Sequence, residues 1–379
     1  MPRNMKMQNS LKILVCLGSF LLLLQNTYAQ KNVDSILEIA NIQIYENPDK
    51  AILFAKEAYN FPDASVKIKV SALLTISTAY SSKRDYNKAT EYVERIKDLF
   101  PKIKNERQQM NILNRIAGHY QELQIFDKAI DYLDESLQLI EKYPVQDSVQ
   151  SFLGYNATLR GFIYREQMNC DIALKYFDKA ITAYKRTTEP HLRNANLSIC
   201  YYNKGNCLLS LNEIEEAKSS FSNSINYAEN AEANSLIAFG QKGLAEAKTL
   251  EGNYKEAITL LNNASLISES VGDLILNKGL YDGLSNNYLA LHDWENYTVF
   301  HNKFLSLQKQ TKKTERKSVN QSLLNLTESK AEEIDTLHKF YNPLQIGLII
   351  FIILSIGMLI RLFFSEEKKL KILQEKLKN

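Results

Sequence analysis

Proline, glycine and tryptophan are rare in this chain, at 7, 13 and 1 of 379 residues. Glycine and proline interrupt helices, and few of them fall inside the periodic apolar stretches described below. The sequence has no Gly-rich phosphate loop and no Gly-x-Ser-x-Gly, so phosphate cradling and a nucleophile elbow have no sequence basis. It lacks Cys-x-x-Cys and His-x-x-x-His spacings, which removes the usual zinc arrangements. Cys200 and Cys207 are two helical turns apart, about 10 Å, too far to bridge within one helix. With Cys170 they read as small core residues. The histidines at 119, 191, 292, 301 and 338 stand alone, and acidic pairs such as Glu215–Glu216 and Glu332–Glu333 read as solvated charge. The expectation is a chain without cofactor, metal or enzymatic activity.

Net charge is also missing. Residues 1–29 hold Arg3, Lys6 and Lys12 with no acid, which leaves 43 basic residues facing 43 acidic ones. A neutral body without a basic stripe argues against nucleic-acid binding by the repeats.

What is present is repetition. The phrase "IFDKAIDYL" (125–133) has counterparts in "DYNKATEYV" (85–93) and "NYKEAITLL" (253–261). Aligned on a small central residue, the series is Ala51, Ala89, Ala129, Ala173, Ala217, Ala257 and Tyr297, at intervals of 38, 40, 44, 44, 40 and 40 residues. Within a phrase, Phe126, Ile130, Leu133, Leu137 and Ile140 recur at helical spacing. A second helical stretch precedes each anchor across a polar break such as "EGN" or "LHD". Twelve residues before the anchor stands a small residue: Ser77, Ala117, Gly161, Gly205, Ala245 or Ser285. Nine before it, four copies carry tyrosine: Tyr80, Tyr120, Tyr164 and Tyr288. Small residues at fixed places let paired helices approach closely. Pro62, Pro101, Pro144 and Pro190 follow second helices, where a helix must stop.

A helix pair with Gly or Ala at its eighth position, Tyr at its eleventh and Ala at its twentieth resembles the tetratricopeptide repeat. Phe177 and Phe221 add the aromatic four residues after the anchor. The resemblance spans roughly residues 31–310 and implies an all-α solenoid of about seven helix pairs. The family's usual period is about 34 residues, so the excess here implies helices about one turn longer. The first copy reads as degenerate, with Ile39 and Ile42 at the small and Tyr positions, and the last has Tyr297 for Ala; terminal repeats are expected to be atypical. In this family the first helix of each pair lines a groove that holds peptides. Carrying over its second, fifth, ninth and twelfth positions implies a partner-binding set of Asn114, Gln121, Tyr155, Phe162, Arg165, Tyr202, Asn206, Lys242, Glu246, Asp282 and Asn286. Asn, Gln and Arg can hydrogen-bond an extended peptide, and aromatic rings can pack its side chains. The alternative is that these residues are simply the solvated face of a solenoid. The family's carboxylate-binding pattern of Lys at five and Asn at nine is absent, because Lys242 precedes Glu246 and Tyr202 precedes Asn206.

Both ends carry apolar segments. Residues 1–29 combine a basic start, the 12-residue run "ILVCLGSFLLLL" and Thr27-Tyr28-Ala29, the pattern of a secretory signal peptide. As an uncleaved anchor the run is too short to span a bilayer. From Phe340 to Ile360 no residue is charged. These 21 residues cover about 31 Å as a helix, a hydrocarbon core's thickness. The twelve Leu, Ile and Phe between Leu344 and Ile360 favour insertion by about 6 kcal/mol. The segment expected to span is 343–364. Arg361, Lys368, Lys369, Lys371, Lys376 and Lys378 follow it, against Lys330 and Lys339 just before, so the basic tail 365–379 is expected in the cytoplasm. The expected organisation is a signal peptide (1–29), an exported solenoid (30–310), a juxtamembrane helix (311–342), one membrane span and the tail.

In the juxtamembrane stretch Val319, Leu323, Leu326, Ile334, Leu337 and Tyr341 form a stripe, read either as a coiled coil supporting a homodimer or as a solvated connector. The whole resembles bacterial inner-membrane tetratricopeptide signalling proteins, with periplasmic repeats and a cytoplasmic kinase or helix-turn-helix output. Only 15 residues follow the span, too few to bury a core. A receptor or adaptor for a protein partner is therefore expected. The alternatives are a truncated or split transmembrane regulator whose histidine kinase or helix-turn-helix output is encoded separately, and a passive envelope scaffold.

Overall fold

The computed structural model describes residues 33–44, 47–62, 64–268 and 273–376; the signal-peptide stretch 1–29 lies outside them. They form two compact units, Met1–Val319 and Asn320–Asn379. No strand occurs among the described residues.

Among the described residues of the first unit, fourteen α-helices follow one another. They are α1 (33–44), α2 (Pro48–Tyr59), α3 (Val66–Ser82), α4 (Tyr86–Leu99), α5 (Glu106–Glu122), α6 (Phe126–Lys142) and α7 (Gln150–Glu166). Then come α8 (Cys170–Lys185), α9 (Pro190–Ser210), α10 (Ile214–Glu229), α11 (Asn234–Leu250), α12 (Tyr254–Ser268), α13 (Leu274–Ala290) and the start of α14 (Trp294–Lys376). From α3 to α12 each odd helix packs on the even helix after it. Ala40 and Ile44 pack α1 on α2, and Tyr288 of α13 stacks on Phe300 of α14. Seven pairs result among the described residues, and each packs on the next. This is the all-α solenoid expected from the period.

Local chemistry starts many of these helices. Asn47, Ser65, Asp85, Asn105, Asn169 and Asp273 precede α2, α3, α4, α5, α8 and α13, and each accepts a first-turn backbone N–H with its side chain. The odd-to-even turns are built alike. Arg84, Gln124, Met168, Asn212, Gly252 and His292 each take a left-handed backbone. The next N–H then reaches back to the carbonyl of Tyr80, Tyr120, Tyr164, Leu208, Lys248 or Tyr288, at 2.8–2.9 Å. Glycine fills this position once, and Asn212 and His292 are residue types that tolerate it; the turn imposes it on Arg84, Gln124 and Met168.

Packing inside a pair follows the anchors. Ala51, Ala89, Ala129, Ala173, Ala217 and Ala257 are fully buried. At Gly161 and Gly205 an added Cβ would lie 2.5 Å from the Phe177 and Phe221 rings, so only glycine admits those aromatics. Each of the four tyrosines stacks on an aromatic twelve residues later: Tyr80 on Tyr92, Tyr120 on Tyr132, Tyr164 on Tyr176 and Tyr288 on Phe300, at centroid distances of 5.4–5.7 Å. Such pairs add about 0.5–1.5 kcal/mol each beyond burial.

Two sequence expectations change. The first repeat does keep its small residue: Ala40, eleven residues before Ala51, is buried with Ala51, Ala55 and Ile76. The interval to the anchor is thus eleven residues rather than twelve, and Ile42, off that register, is 58% exposed. The extra length is also unevenly placed. One 44-residue interval contains a 3-10 turn at Gln146–Val149, whereas the next contains α9, at 21 residues one turn longer than α7.

The second unit consists of the remainder of α14. Its Ile334–Leu373 stretch is long and apolar enough to cross a membrane, and none of it is buried. Pro343 lies within this helix and removes one backbone donor at the start of the apolar segment. Ile334, Leu337 and Tyr341 are exposed; the side chains of Val319, Leu323 and Leu326 lie outside the described set.

Candidate partner-binding surface

Consecutive odd helices pack against one another, whereas consecutive even helices make no comparable contact among the described residues. The odd helices therefore share one continuous surface, and a polar seam joins each to the next. Thr75 donates to Asn41 Oδ1 at 2.8 Å (α3 to α1), and Arg115 donates to Thr78 at 3.4 Å (α5 to α3). Asn156 donates to Asn114 Oδ1 at 3.0 Å and Gln121 to Glu166 at 2.7 Å (α5 and α7). Arg165 donates to Asn203 (α7 to α9), and Lys242 lies beside Tyr202 (α11 and α9). Asn287 and Thr249 bond reciprocally at 2.9–3.0 Å (α13 and α11). Every one of these links joins residues 34–45 positions apart where a hydrogen-bond separation is involved.

The eleven sequence-predicted residues divide on this geometry. Asn114 is fully buried; its amide donates to the Phe152 carbonyl at 3.0 Å, so the seam takes both ends of the side chain. Gln121 and Arg165 are likewise held in the seam. Lys242 pairs with Glu246 and lies over Gly279. Burial works against its charge, yet Tyr202 and Glu246 beside it hold its pKa above the usual lysine value. Tyr155, Phe162 and Tyr202 are half-buried. The Arg115 guanidinium lies 5.5 Å from the Tyr155 ring centroid, and Arg165 lies 5.5 Å from that of Phe162. Tyr202 packs on Phe239 at 5.4 Å. Asn206 and Asp282 are half-exposed and Asn286 is exposed.

Sequence reasoning missed Arg115, Asn203 and Phe239. Phe239 occupies the second position of its odd helix and was readable from the pattern. Arg115 and Asn203 sit at the sixth position, which only the packing of neighbouring odd helices brings to this surface. Beside Arg115, Glu122 has its pKa raised by burial, against the pull of Ser81, Arg84 and Arg115. The arrangement brings together cations and aromatic faces on α5, α7, α9 and α11, a composition suited to apolar and aromatic side chains presented on a peptide.

Among known proteins, the tetratricopeptide repeat model matches residues 199–230, which cover α9 from Ile199 through α10. No curated protein matches the chain. Similar solved structures include a Rap protein complexed with competence and sporulation factor (13% identity, TM-score 0.47, covering 75% of this chain and 99% of that one). Another is aspartyl phosphate phosphatase F from Bacillus subtilis (15% identity, TM-score 0.46, 82% and 83%). A third is a signal transduction ATPase with a tetratricopeptide repeat sensor from Pyrococcus horikoshii (17% identity, TM-score 0.47, 78% and 44%).

Proposed function

We propose that this chain, a tetratricopeptide-repeat protein, is a membrane-anchored receptor or adaptor that binds an extended segment of another protein along its odd helices. The observation that carries this reading is the run of Tyr155, Phe162, Tyr202 and Phe239 on α7, α9 and α11, flanked by Arg115, Arg165 and Lys242. Half-buried aromatics next to arginine are the residue types that dominate binding energy at protein interfaces. The polar seam holds their backbones in place, so little order is lost when a ligand binds. Asn206, Glu246, Asp282 and Asn286 remain reachable for hydrogen bonds to the ligand backbone.

The apolar stretch of α14 supplies the membrane span, with the basic residues after it on the cytoplasmic side and the repeats exported by the leader at 1–29. The sparse apolar positions before the span support a homodimer or a pairing with another membrane protein, through which occupancy of the repeats is passed on.

The test is photo-cross-linking in intact cells. A photoreactive residue at Asn206 or Asn286 should capture a discrete protein, and Tyr202→Ala with Phe239→Ala should abolish the capture. The same probe at Asp131, exposed on α6, should capture nothing specific. Equal labelling from both faces would sink the assignment of the odd-helix surface.

A further inference from the structure

Cys170 opens α8 and Cys207 lies near the end of α9, one repeat later. Both are buried in one core cluster with Ala173 and Phe177, and the Cys207 thiol has that of Cys170 beside it. At the neighbouring repeat boundaries the same two positions hold Phe126 with Ile163 and Ile214 with Ala247, so cysteine is no requirement of the packing. Cys200 is set apart: it is fully buried with Tyr184 and Leu197, and shares a 3.3 Å hydrogen bond with the Thr158 hydroxyl.

We propose that Cys170 and Cys207 form a disulfide that staples the fourth repeat to the fifth when the chain is exported. This rests on the export reading given above, because such bonds persist in oxidising compartments. Two thiols lose two protons and two electrons as the S–S bond forms. The electrons reduce a disulfide oxidant, either a small-molecule or a protein disulfide, to two thiols by exchange through a mixed disulfide. Burial and the neighbouring Cys170 push the Cys207 thiol well up, so attacking thiolate is scarce once the core has closed. The bond therefore forms while α9 is docking on α8. It then cross-links chain positions 37 apart, which restricts the unfolded chain and holds the centre of the array together.

The test uses the full chain in its own membranes. Membranes are denatured in a thiol-alkylating reagent without reductant, digested and mapped. The expected result is a peptide joining Cys170 to Cys207, with Cys200 alkylated, and the Cys200→Ala variant gives the same linked peptide. Reduction should lower the melting temperature of the repeats by roughly 5 °C. In parallel, detergent-purified chain is reduced, denatured and refolded with oxidised glutathione. A link formed on refolding but absent from membranes upholds the pair and overturns the export reading. Free Cys170 and Cys207 in both preparations, or a link to Cys200 in either, overturns the proposal.

Discussion

His119 shows what one buried group does to this array. It is 4% exposed on α5, and its Nε2 lies 2.9 Å from the Thr90 hydroxyl of α4, across a repeat boundary. Burial, with a smaller contribution from Lys97, pulls its pKa from 6.5 down to about 3. The unfolded chain therefore takes up this proton first as pH falls. The stability associated with neutral His119 is complete above 6.5 and declines between 6.5 and about 3. The expected slope is about 1.4 kcal/mol per pH unit in that window. Urea melts of the repeat fragment at pH 7, 6 and 5 check this. The His119→Gln variant should lack that component, and parallel pH profiles for the two proteins would refute it.

At the scale of the helix pair, glycine is the gate for the second helix. Phe221 sits against both Gly205 of its own pair and Gly243 of the next odd helix, so its ring has no free direction in which to move. Gly205→Val is expected to cost about 1–3 kcal/mol through overpacking, seen as a lower thermal midpoint by circular dichroism. Gly252 is the contrast, because nothing lies within 4 Å of its missing Cβ and its role is the left-handed turn, at φ +78°. Equal midpoints for Gly205→Val and the parent would show that the α9–α10 register is misread. The stacked tyrosines follow the same logic. Where Tyr is replaced by Leu208 or Lys248, its partner position holds Ser220 or Leu260, so the two halves of the stack are kept or lost together.

At the scale of the molecule, the first unit carries its own core. Buried clusters run from Val33, Leu37 and Ala58 at one end to Ala257, Leu276 and Leu280 near the other. Each repeat is stabilised by its neighbours alone, as in other solenoids. A fragment of residues 30–342 should therefore be soluble, almost wholly helical and cooperatively melting when made without the apolar segment. Circular dichroism and sedimentation check it; a strong strand signal or no melt would refute it. The ends remain open by the same rule. Positions that interior repeats bury or half-bury, as at Cys170 and Ile181, hold Trp294 and Leu305 in the last, where they are 60% and 44% exposed.

The sequence by itself determined the period, the anchors, the small and tyrosine positions, and the apolar stretch of α14. All of these are local: an apolar stripe at helical spacing or an uncharged run has the same physical meaning wherever the chain goes. The tertiary structure alone decided which polar residues of the odd helices meet each other. Asn114 and Asn286 are both polar residues on odd helices, and their immediate sequence does not separate them. One is fully buried and bonded to Phe152 and Asn156; the other is exposed. The difference is made by partners a whole repeat away, such as the 38 residues from Asn114 to Phe152. A buried amide must find a partner or carry the penalty of desolvation, and that partner exists only once neighbouring pairs have docked.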